Sequence, residues 1–442
     1  MNRTKLIALM IAGMLSGSLL HAQETLTLQE AVKFALENKA SAKKAKLDLE
    51  NSEYQIDEVR AGALPQINGS ASVKYNAIIP SMPIDMGGQT QYLKMGQPWN
   101  STAGLSVNQQ IFNQSLFTGL KAAKTTREFY AINIELTDET LIEKVATAYY
   151  DVFQTKLQLE TIDNNLNNTT KTKNVIEGMV TAGLGRKIDL DRIVVNINNL
   201  QAQRQIVINA LELKENALKF AIGMPIEKEI ELPNETFDID ANLAGAPTMD
   251  LSGRTEVKVL EKQAELLELN KKSIKAEYYP SLSFGGDIGY QGFGNGVPGS
   301  NDFSWFPTSG LGLNLTIPIF NGGSTKAKIN KAIIQIKQLE VDIEDTKLGL
   351  TLANENAKAQ IKNSLITVNS NRRNVQLAKE VLDDTENNYR NGLASLTELL
   401  DAETAFTDAQ NNLNTSLLNY KVAEVQLIKA NGNLKSLVNE NN

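Results

Sequence analysis

Two spacings of hydrophobic residues alternate along this chain, and each predicts a different element. Apolar side chains at every second position predict a strand with one polar face. This spacing occurs four times, at about 66–77, 101–112, 281–290 and 308–319. Strands of about ten residues have the length of a tilted bilayer crossing.

A heptad spacing predicts a very long helix after each pair of strands. The stretches 115–180 and 324–390 contain no proline, and their apolar residues recur at alternating steps of four and three. In the first stretch this stripe consists of Leu141, Val145, Ala148, Val152, Thr155, Leu159, Ile162 and Leu166. At ~1.5 Å per residue each helix would be on the order of 100 Å long. Shorter helical patterns at 186–222 and 395–431 predict return helices.

The chain is an internal duplication. The strand that ends at Phe112-Asn113 recurs about two hundred residues later as the strand that ends at Phe320-Asn321. Repeat 1 covers 23–225, a linker or equatorial segment covers 226–250, and repeat 2 with a C-terminal tail covers 251–442. Each repeat reads helix, two strands, long helix, turn and return helix. Internal repeats of this kind are assembled by pseudo-symmetry.

The first helix of each repeat has clear boundary signals. Thr27 with Glu30 is a capping box, so a helix is predicted from about Leu28 to Ala63, where Pro65 stops it. The equivalent helix, about 253–279, is stopped by Pro280. The segments 77–100 and 291–307, rich in glycine, proline and aromatic residues, are predicted to be outer loops that contribute to an interfacial aromatic belt.

The N-terminus and the composition limit the classes of function that this protein can have. Residues 1–22 have the layout of a secretory signal peptide, so the mature chain should begin at Gln23, with 42 basic against 51 acidic residues, a formal net charge of −9. An acidic chain is a poor nucleic-acid binder. Without its leader the chain has neither histidine nor cysteine, which removes imidazole catalysis, thiol nucleophiles and most zinc sites. We therefore expect no enzyme activity, no cofactor and no metal.

Several motifs, in their order and spacing, resemble the TolC-like outer-membrane efflux protein family across nearly all of the mature chain. They are 26–32, LTLQEAV; 276–282, AEYYPSL; 317–323, IPIFNGG; and 392–402, GLASLTELLDA. The resemblance implies a mainly α fold with a membrane β-barrel contribution. Three chains would form a 12-stranded barrel together with a long periplasmic α-helical barrel.

The resemblance also implies a function and partners. The protein would be a passive trimeric exit duct, gated at its periplasmic tip, in a tripartite efflux or type I secretion system. It would lie in the outer membrane of a Gram-negative bacterium, among outer-membrane lipid, and extend into the periplasm. Its partners would be two further copies of itself, a periplasmic adaptor protein and an inner-membrane pump of the RND or ABC type, with no nucleic acid.

Candidate functional residues cluster at the two turns that join each long helix to its return helix. These are called the tip turns. By resemblance, Glu398 and Asp401 are the carboxylates of the gate, and Asp189 and Tyr389 form a latch between the two helix pairs. Capping of Ser395 and the helix dipole also account for acids at this helix start. The turn residues expected to dock the adaptor are Gly183, Leu184, Gly392, Leu393 and Ser395. Ala394 stands where some relatives carry a basic residue, so the latch here would be weaker or would use Arg186 or Lys187.

Two other functions fit parts of the sequence. Long heptad helices also build surface stalks and adhesins, although such a protein needs no strands with one polar face. An exported glycosidase could use Glu398 and Asp401 as its carboxylate pair, but long helices without a cleft-forming sheet argue against it.

Overall fold

The computed structural model describes residues 25–233, 239 and 250–438. The predicted signal peptide 1–22 lies outside the described residues, as does most of the predicted segment 226–250. The chain divides into two compact units. The helical unit contains Met1–Ala45, Ile134–Thr255 and Lys347–Asn442, and the sheet unit contains Lys46–Asn133 and Glu256–Thr346.

The described chain is mostly helical, with strands in two groups. The helices are α1 (Leu28–Asn38), α2 (Ala40–Ala61), α3 (Gln114–Thr181), α4 (Lys187–Ile222), α5 (Thr255–Ala276), α6 (Ser324–Arg390) and α7 (Leu396–Ala430), followed by a 3-10 turn at Leu434–Leu437. The strands are β1 (Gln66–Tyr75), β2 (Ser81–Met86), β3 (Gln89–Lys94), β4 (Trp99–Phe112), β5 (Ser281–Gly294) and β6 (Phe303–Thr316). No helix in the described ranges combines the length and the hydropathy needed to cross a membrane.

The first helix is broken where the sequence predicts a continuous one. The capping box of Thr27 and Glu30 is confirmed, but α1 ends at Lys39, which has an extended backbone (φ −64°, ψ 135°). The Lys39 Nζ donates to the carbonyl of Phe220 and lies 3.7 Å from the centroid of the Phe220 ring. The break therefore coincides with a tertiary contact to the end of α4, which local helix propensity does not register.

The sheet unit contains a four-stranded antiparallel sheet in the order β1-β4-β5-β6. Its register pairs Gly69 with Leu105, Gly104 with Gly289, and Phe284 with Leu313. Within the described chain, β1 and β6 each pair along one side only, so both form free edges.

One face of this sheet is apolar and exposed. Along β6, Leu311 is 82% exposed and Leu313 is 68% exposed, and Leu315 continues the row at the next alternate position. Glycine, asparagine and other small or polar residues alternate with them. The period-two pattern therefore sets two chemically different faces, as the sequence predicts.

The strands differ from the sequence prediction in their ends. The last strand was predicted at 308–319, but β6 begins at Phe303 and ends at Thr316, just before Ile317 and Pro318. The segment 77–100, predicted as a loop, contains a separate hairpin, β2–β3. The aromatic side chains assigned to loops lie in strands: Trp99 belongs to β4, where its ring is 4.8 Å from that of Tyr75.

The main core of the helical unit surrounds the middle of α3. Its largest buried cluster combines α1, α3, the end of α4 and the C-terminal turn, and its members include Ala31, Val32, Val145, Tyr149, Phe153, Leu218, Ile222 and Leu434. Residues 225–233 are tied to this core: the Lys156 Nζ donates to the Leu232 carbonyl (2.7 Å), and the Leu26 N–H donates to the Glu231 carbonyl (2.7 Å).

Candidate functional site

The candidate site begins with two turns of the same construction in the helical unit. One joins α3 to α4 and the other joins α6 to α7. In each, a leucine N–H (Leu184, Leu393) donates to the carbonyl five residues earlier (2.8 Å), and a glycine N–H (Gly183, Gly392) donates to the carbonyl three residues earlier (3.0 Å). The two glycines have φ of 75° and 76°. Both long helices therefore end in a Schellman motif, which needs a left-handed residue at this position.

The four helix ends beside these turns pack into one small apolar cluster. Its buried members are Ile176 of α3, Ile193 of α4, and Leu396 and Leu399 of α7. Tyr389, near the end of α6, packs against this cluster and is partly buried. The two repeats are thus joined at their turns by side-chain packing, and Tyr389 has a structural role there as well as a predicted role in a latch.

Glu398 caps the start of α7. Its Oε2 accepts from the Ser395 N–H (2.6 Å), and the Glu398 N–H donates to the Ser395 hydroxyl (3.3 Å). The bond from the Ser395 N–H, together with the Ser395 hydroxyl, lowers the pKa of the Glu398 carboxyl below its ordinary value. Glu398 is therefore ionised at neutral pH, and capping explains its position within one chain.

Asp401 is different, because no such local interaction explains it. It lies one turn further along α7 and is exposed, and its side chain makes no hydrogen bond or ion pair with the part of the chain that the structure describes. Residues three apart on a helix lie on the same side. Glu398 and Asp401 therefore present two carboxylates on one side of α7.

The predicted bond between Tyr389 and Asp189 is not formed among the described residues. Asp189 is only 13% exposed in its side chain and accepts instead from the Arg186 Nε (3.0 Å), while its Oδ1 is buried without a partner. Burial raises the pKa of the Tyr389 hydroxyl, and the negative charge of Asp189 raises it further. Asp189 and Tyr389 are thus neighbours that interact through space, and the ion pair uses Arg186.

A bond between the two repeats at this site was missed by sequence reasoning. The Arg192 Nη1 of α4 donates to the Thr397 hydroxyl of α7 (3.0 Å), across 205 residues of sequence. Both side chains are exposed, and neither position shows a motif that would have revealed the pairing. Only the packing of the helix ends brings them together.

The turns themselves are open to solvent. Leu184 is 79% exposed and Leu393 is 78% exposed, although both side chains are large and apolar. Each stands immediately after a glycine of the turn. Both repeats therefore expose a leucine at the equivalent position of their turns.

The chain combines duplicated long helices with paired tip turns and a sheet that exposes its apolar face, as is expected of an outer-membrane channel protein. The chain belongs to the outer membrane efflux protein family, whose model matches residues 31–224 and 249–433. The family resemblance inferred from the sequence is thereby confirmed.

Two similar proteins are outer-membrane proteins, as the family assignment leads one to expect. The outer membrane protein TolC of Salmonella enteritidis is 22% identical over 449 aligned residues, which cover 98% of this chain and 87% of that protein. The solvent efflux pump outer membrane protein SrpC of Pseudomonas putida is 24% identical over 302 residues, 66% of this chain and 62% of the relative.

Solved structures share the fold. The CmeC outer membrane channel of Campylobacter jejuni matches with a TM-score of 0.72 at 18% identity, covering 92% of this chain and 85% of that one. The open state of the MtrE outer membrane channel of Neisseria gonorrhoeae matches with a TM-score of 0.71 at 20% identity, covering 94% and 91%.

The protein is accordingly an outer-membrane efflux channel of Gram-negative bacteria, and its family is one of transport ducts. The surface stalk considered from the heptad pattern is not favoured.

Proposed function

We propose that three copies of this chain form a passive exit duct that is closed at the tip turns and opened there by a periplasmic adaptor. The duct would serve an inner-membrane pump of the RND or ABC type, which supplies the energy. The observation that carries this proposal is the four-stranded sheet with two free edges and an exposed apolar face.

The free edges favour self-association. An unpaired edge strand presents a row of backbone N–H and C=O groups that must find partners. The edges β1 and β6 run in opposite directions, because each of the three neighbouring pairs in the sheet is antiparallel. The β6 edge of one copy can therefore pair antiparallel with the β1 edge of the next, and three copies would close twelve strands around a polar lumen.

Exposed apolar stripes on the helices favour the same assembly. On α4, Val195, Ile206, Leu213 and Phe220 are exposed large apolar residues, and the last three are spaced by heptads. On α6 a second exposed series lies within the helical unit: Leu348, Leu352, Ile366, Leu377 and Val381. Large apolar residues that recur at helical spacing and stay exposed in a single chain are the pattern of helices that pack against a neighbouring copy.

The gate would be a ring of carboxylates. Threefold symmetry would bring Glu398 and Asp401 from each chain around one axis, where six carboxylates attract cations and repel anions. Asp401 supports this proposal more directly than Glu398, because capping already explains the position of Glu398. Like-charge crowding in this ring would oppose the effect of the cap on the pKa of Glu398.

The latch and the docking surface would lie beside this ring. The Arg186–Asp189 pair under Tyr389, with the Arg192–Thr397 bond, would hold the two helix pairs together in the closed state. The adaptor would dock on the turns, where Leu184 and Leu393 offer exposed apolar side chains.

Planar-bilayer conductance of the purified full-length protein tests the gate. The informative variant is Glu398→Gln/Asp401→Asn, since glutamine can keep the capping box while both charges are removed. We expect small cation-selective currents from the native protein, and larger currents with weaker cation selectivity from the variant.

The matched control is Asp408→Asn, which removes an exposed acid from the same helix outside the gate. It should leave conductance and selectivity unchanged. Native-like currents from the double variant would move the gate elsewhere, while a failure of the native protein to form trimers or conduct would reject the duct itself.

A further inference from the structure

A pocket lies between α3, α6 and α7 in the helical unit, beyond the residues assigned to the gate. Its volume is about 390 Å³, within the range of small-molecule sites. Apolar and aromatic side chains form part of its lining: Val175, Leu382, Tyr389, Leu399 and Phe406. Glu403 is the one buried acid among the lining residues.

Glu403 is unusual in its setting. It lies on α7, one heptad after the buried Leu396, and it is only 7% exposed. Its Oε2 accepts one hydrogen bond, from the Thr169 hydroxyl of α3 (3.2 Å). Within the described chain, no lysine or arginine approaches it within ion-pair distance. A buried carboxylate without a cation is costly, so this group is neutralised either by a proton or by a positively charged ligand.

The other charged groups facing the pocket are already paired or exposed at its mouth. On α6, Lys379 pairs with Asp383 (3.1 Å) and Arg390 pairs with Glu386 (2.5 Å), and these side chains are largely exposed. On α3, Lys171 is exposed. α7 contributes no charged lining group other than Glu403. The negative charge at the buried position is therefore not neutralised by the lining.

We propose that this pocket binds a small organic cation, a protonated amine with an aromatic or aliphatic body. The ammonium group would donate to the Glu403 carboxylate. The body would lie against Leu382 and Phe406. Because the Lys379 Nζ already lies 5.9 Å from the centroid of the Phe406 ring, recognition of the cation rests on Glu403. The occupant would sit between the helices of both repeats, away from the carboxylates of the gate.

Binding should compete with a proton. Burial raises the pKa of the Glu403 carboxyl to about 7; the Thr169 bond opposes this shift and the charge of Glu386 adds to it. Only the ionised form can pair with an ammonium group. Affinity should therefore rise about tenfold between pH 6 and pH 8, as the ionised fraction grows from about a tenth to about nine tenths.

Calorimetric titration of the full-length protein, in nanodiscs of zwitterionic lipid, tests the proposal. Three probes of similar size would be compared: dansylcadaverine, which carries a primary amine; its N-acetyl derivative, which is neutral; and 6-(dansylamino)hexanoic acid. We expect the amine to bind at least tenfold more tightly than either of the others at pH 8. Equal binding of all three, or tighter binding of the acid, would overturn the proposal without any variant.

Two variants locate the site. Glu403→Gln keeps a hydrogen-bond acceptor for Thr169 but cannot ionise, so dansylcadaverine affinity should fall at least tenfold at pH 8 and lose its pH dependence. Asp408→Asn removes an exposed acid from the same helix, outside the pocket, and should change neither. Full affinity in Glu403→Gln would place the binding elsewhere. Because the gate carboxylates are untouched, a failure here leaves the proposed duct unaffected.

Discussion

Asp189 and Glu398 occupy the same position in the two repeats, three residues after the residue that caps the return helix, yet they interact differently. Glu398 bonds to the backbone and hydroxyl of Ser395, whereas Asp189 pairs with the Arg186 guanidinium. The difference follows from the capping residue, since arginine has no acceptor to offer the helix N–H groups. One repeat therefore uses its acid as a cap, and the other uses it in an ion pair close to Tyr389.

Ser395→Ala should weaken the start of α7. Loss of the hydroxyl that accepts from the Glu398 N–H should cost about 1 kcal/mol, the usual value for an N-cap. Thermal denaturation monitored by circular dichroism would measure it. Ser395→Asp, which retains a capping oxygen, should restore most of the loss; equal melting of the native protein and Ser395→Ala would contradict the role of the cap.

The cap should also make the folding stability of the protein depend on pH under acidic conditions. The folded-state pKa of Glu398 is lowered, so its contribution to stability is fully present above the ordinary value of 4.5 and is lost as pH falls through the lowered value. In Glu398→Gln the side chain cannot ionise, so folding stability should depend less on pH in this range. Melting temperatures between pH 5 and pH 3 would show whether the two curves converge.

The bond between Arg192 and Thr397 should couple the two repeats. A double-mutant cycle with Arg192→Met and Thr397→Val should give a coupling of about 0.5 kcal/mol, the lower end for a hydrogen bond because both residues are exposed. Chemical denaturation of the four proteins would measure it. Additive effects of the two substitutions would show that the bond contributes nothing; Arg192→Met with Thr404→Val provides an unpaired comparison.

Glu403 should make the protein less stable as pH rises. Its folded-state pKa of about 7 lies above the ordinary 4.5, so its stabilising effect is complete below pH 4.5 and is lost as pH rises to about 7. The full difference would be up to about 3 kcal/mol. Apparent melting temperatures at pH 5, 6, 7 and 8 would show the decline.

Glu403→Gln removes the titrating group while keeping an acceptor for Thr169. It should melt higher than the native protein at pH 8 and nearly the same at pH 5. Asp408→Asn should follow the native curve throughout. If Glu403→Gln retains the native slope between pH 5 and pH 7, another group is responsible for it.

Gly223→Ala should destabilise the helical unit. Gly223 has φ of 77°, and an added Cβ would lie 3.0 Å from the Cα of Lys39 at the break between α1 and α2. Strain and backbone displacement together should cost about 1–3 kcal/mol. The control is Gly349→Ala inside α6, where nothing lies within 4 Å of the added atom; it should be neutral or stabilising by up to about 1 kcal/mol. Equal behaviour of both variants in thermal denaturation would reject this account.

Much of the fold could be predicted because it depends on local periodicity. Alternation at 281–290 and the glycines of the tip turns act within a few residues, so their consequences are visible in sequence. Glu398 and Asp401 were selected from a motif, and their role as gate acids stays a prediction. The burial of Glu403 could not be predicted in this way, because the next position of the same heptad stripe, Gln410, is also polar.

The sequence by itself determined the duplication, the long helices, the strands with two different faces and the family. Tertiary structure alone decided the break at Lys39, the Arg192–Thr397 bond and the burial of Glu403. The physical reason is the range of the forces involved. Periodicity and capping are set by neighbours in the chain, whereas desolvation and contacts between repeats depend on residues about two hundred positions away.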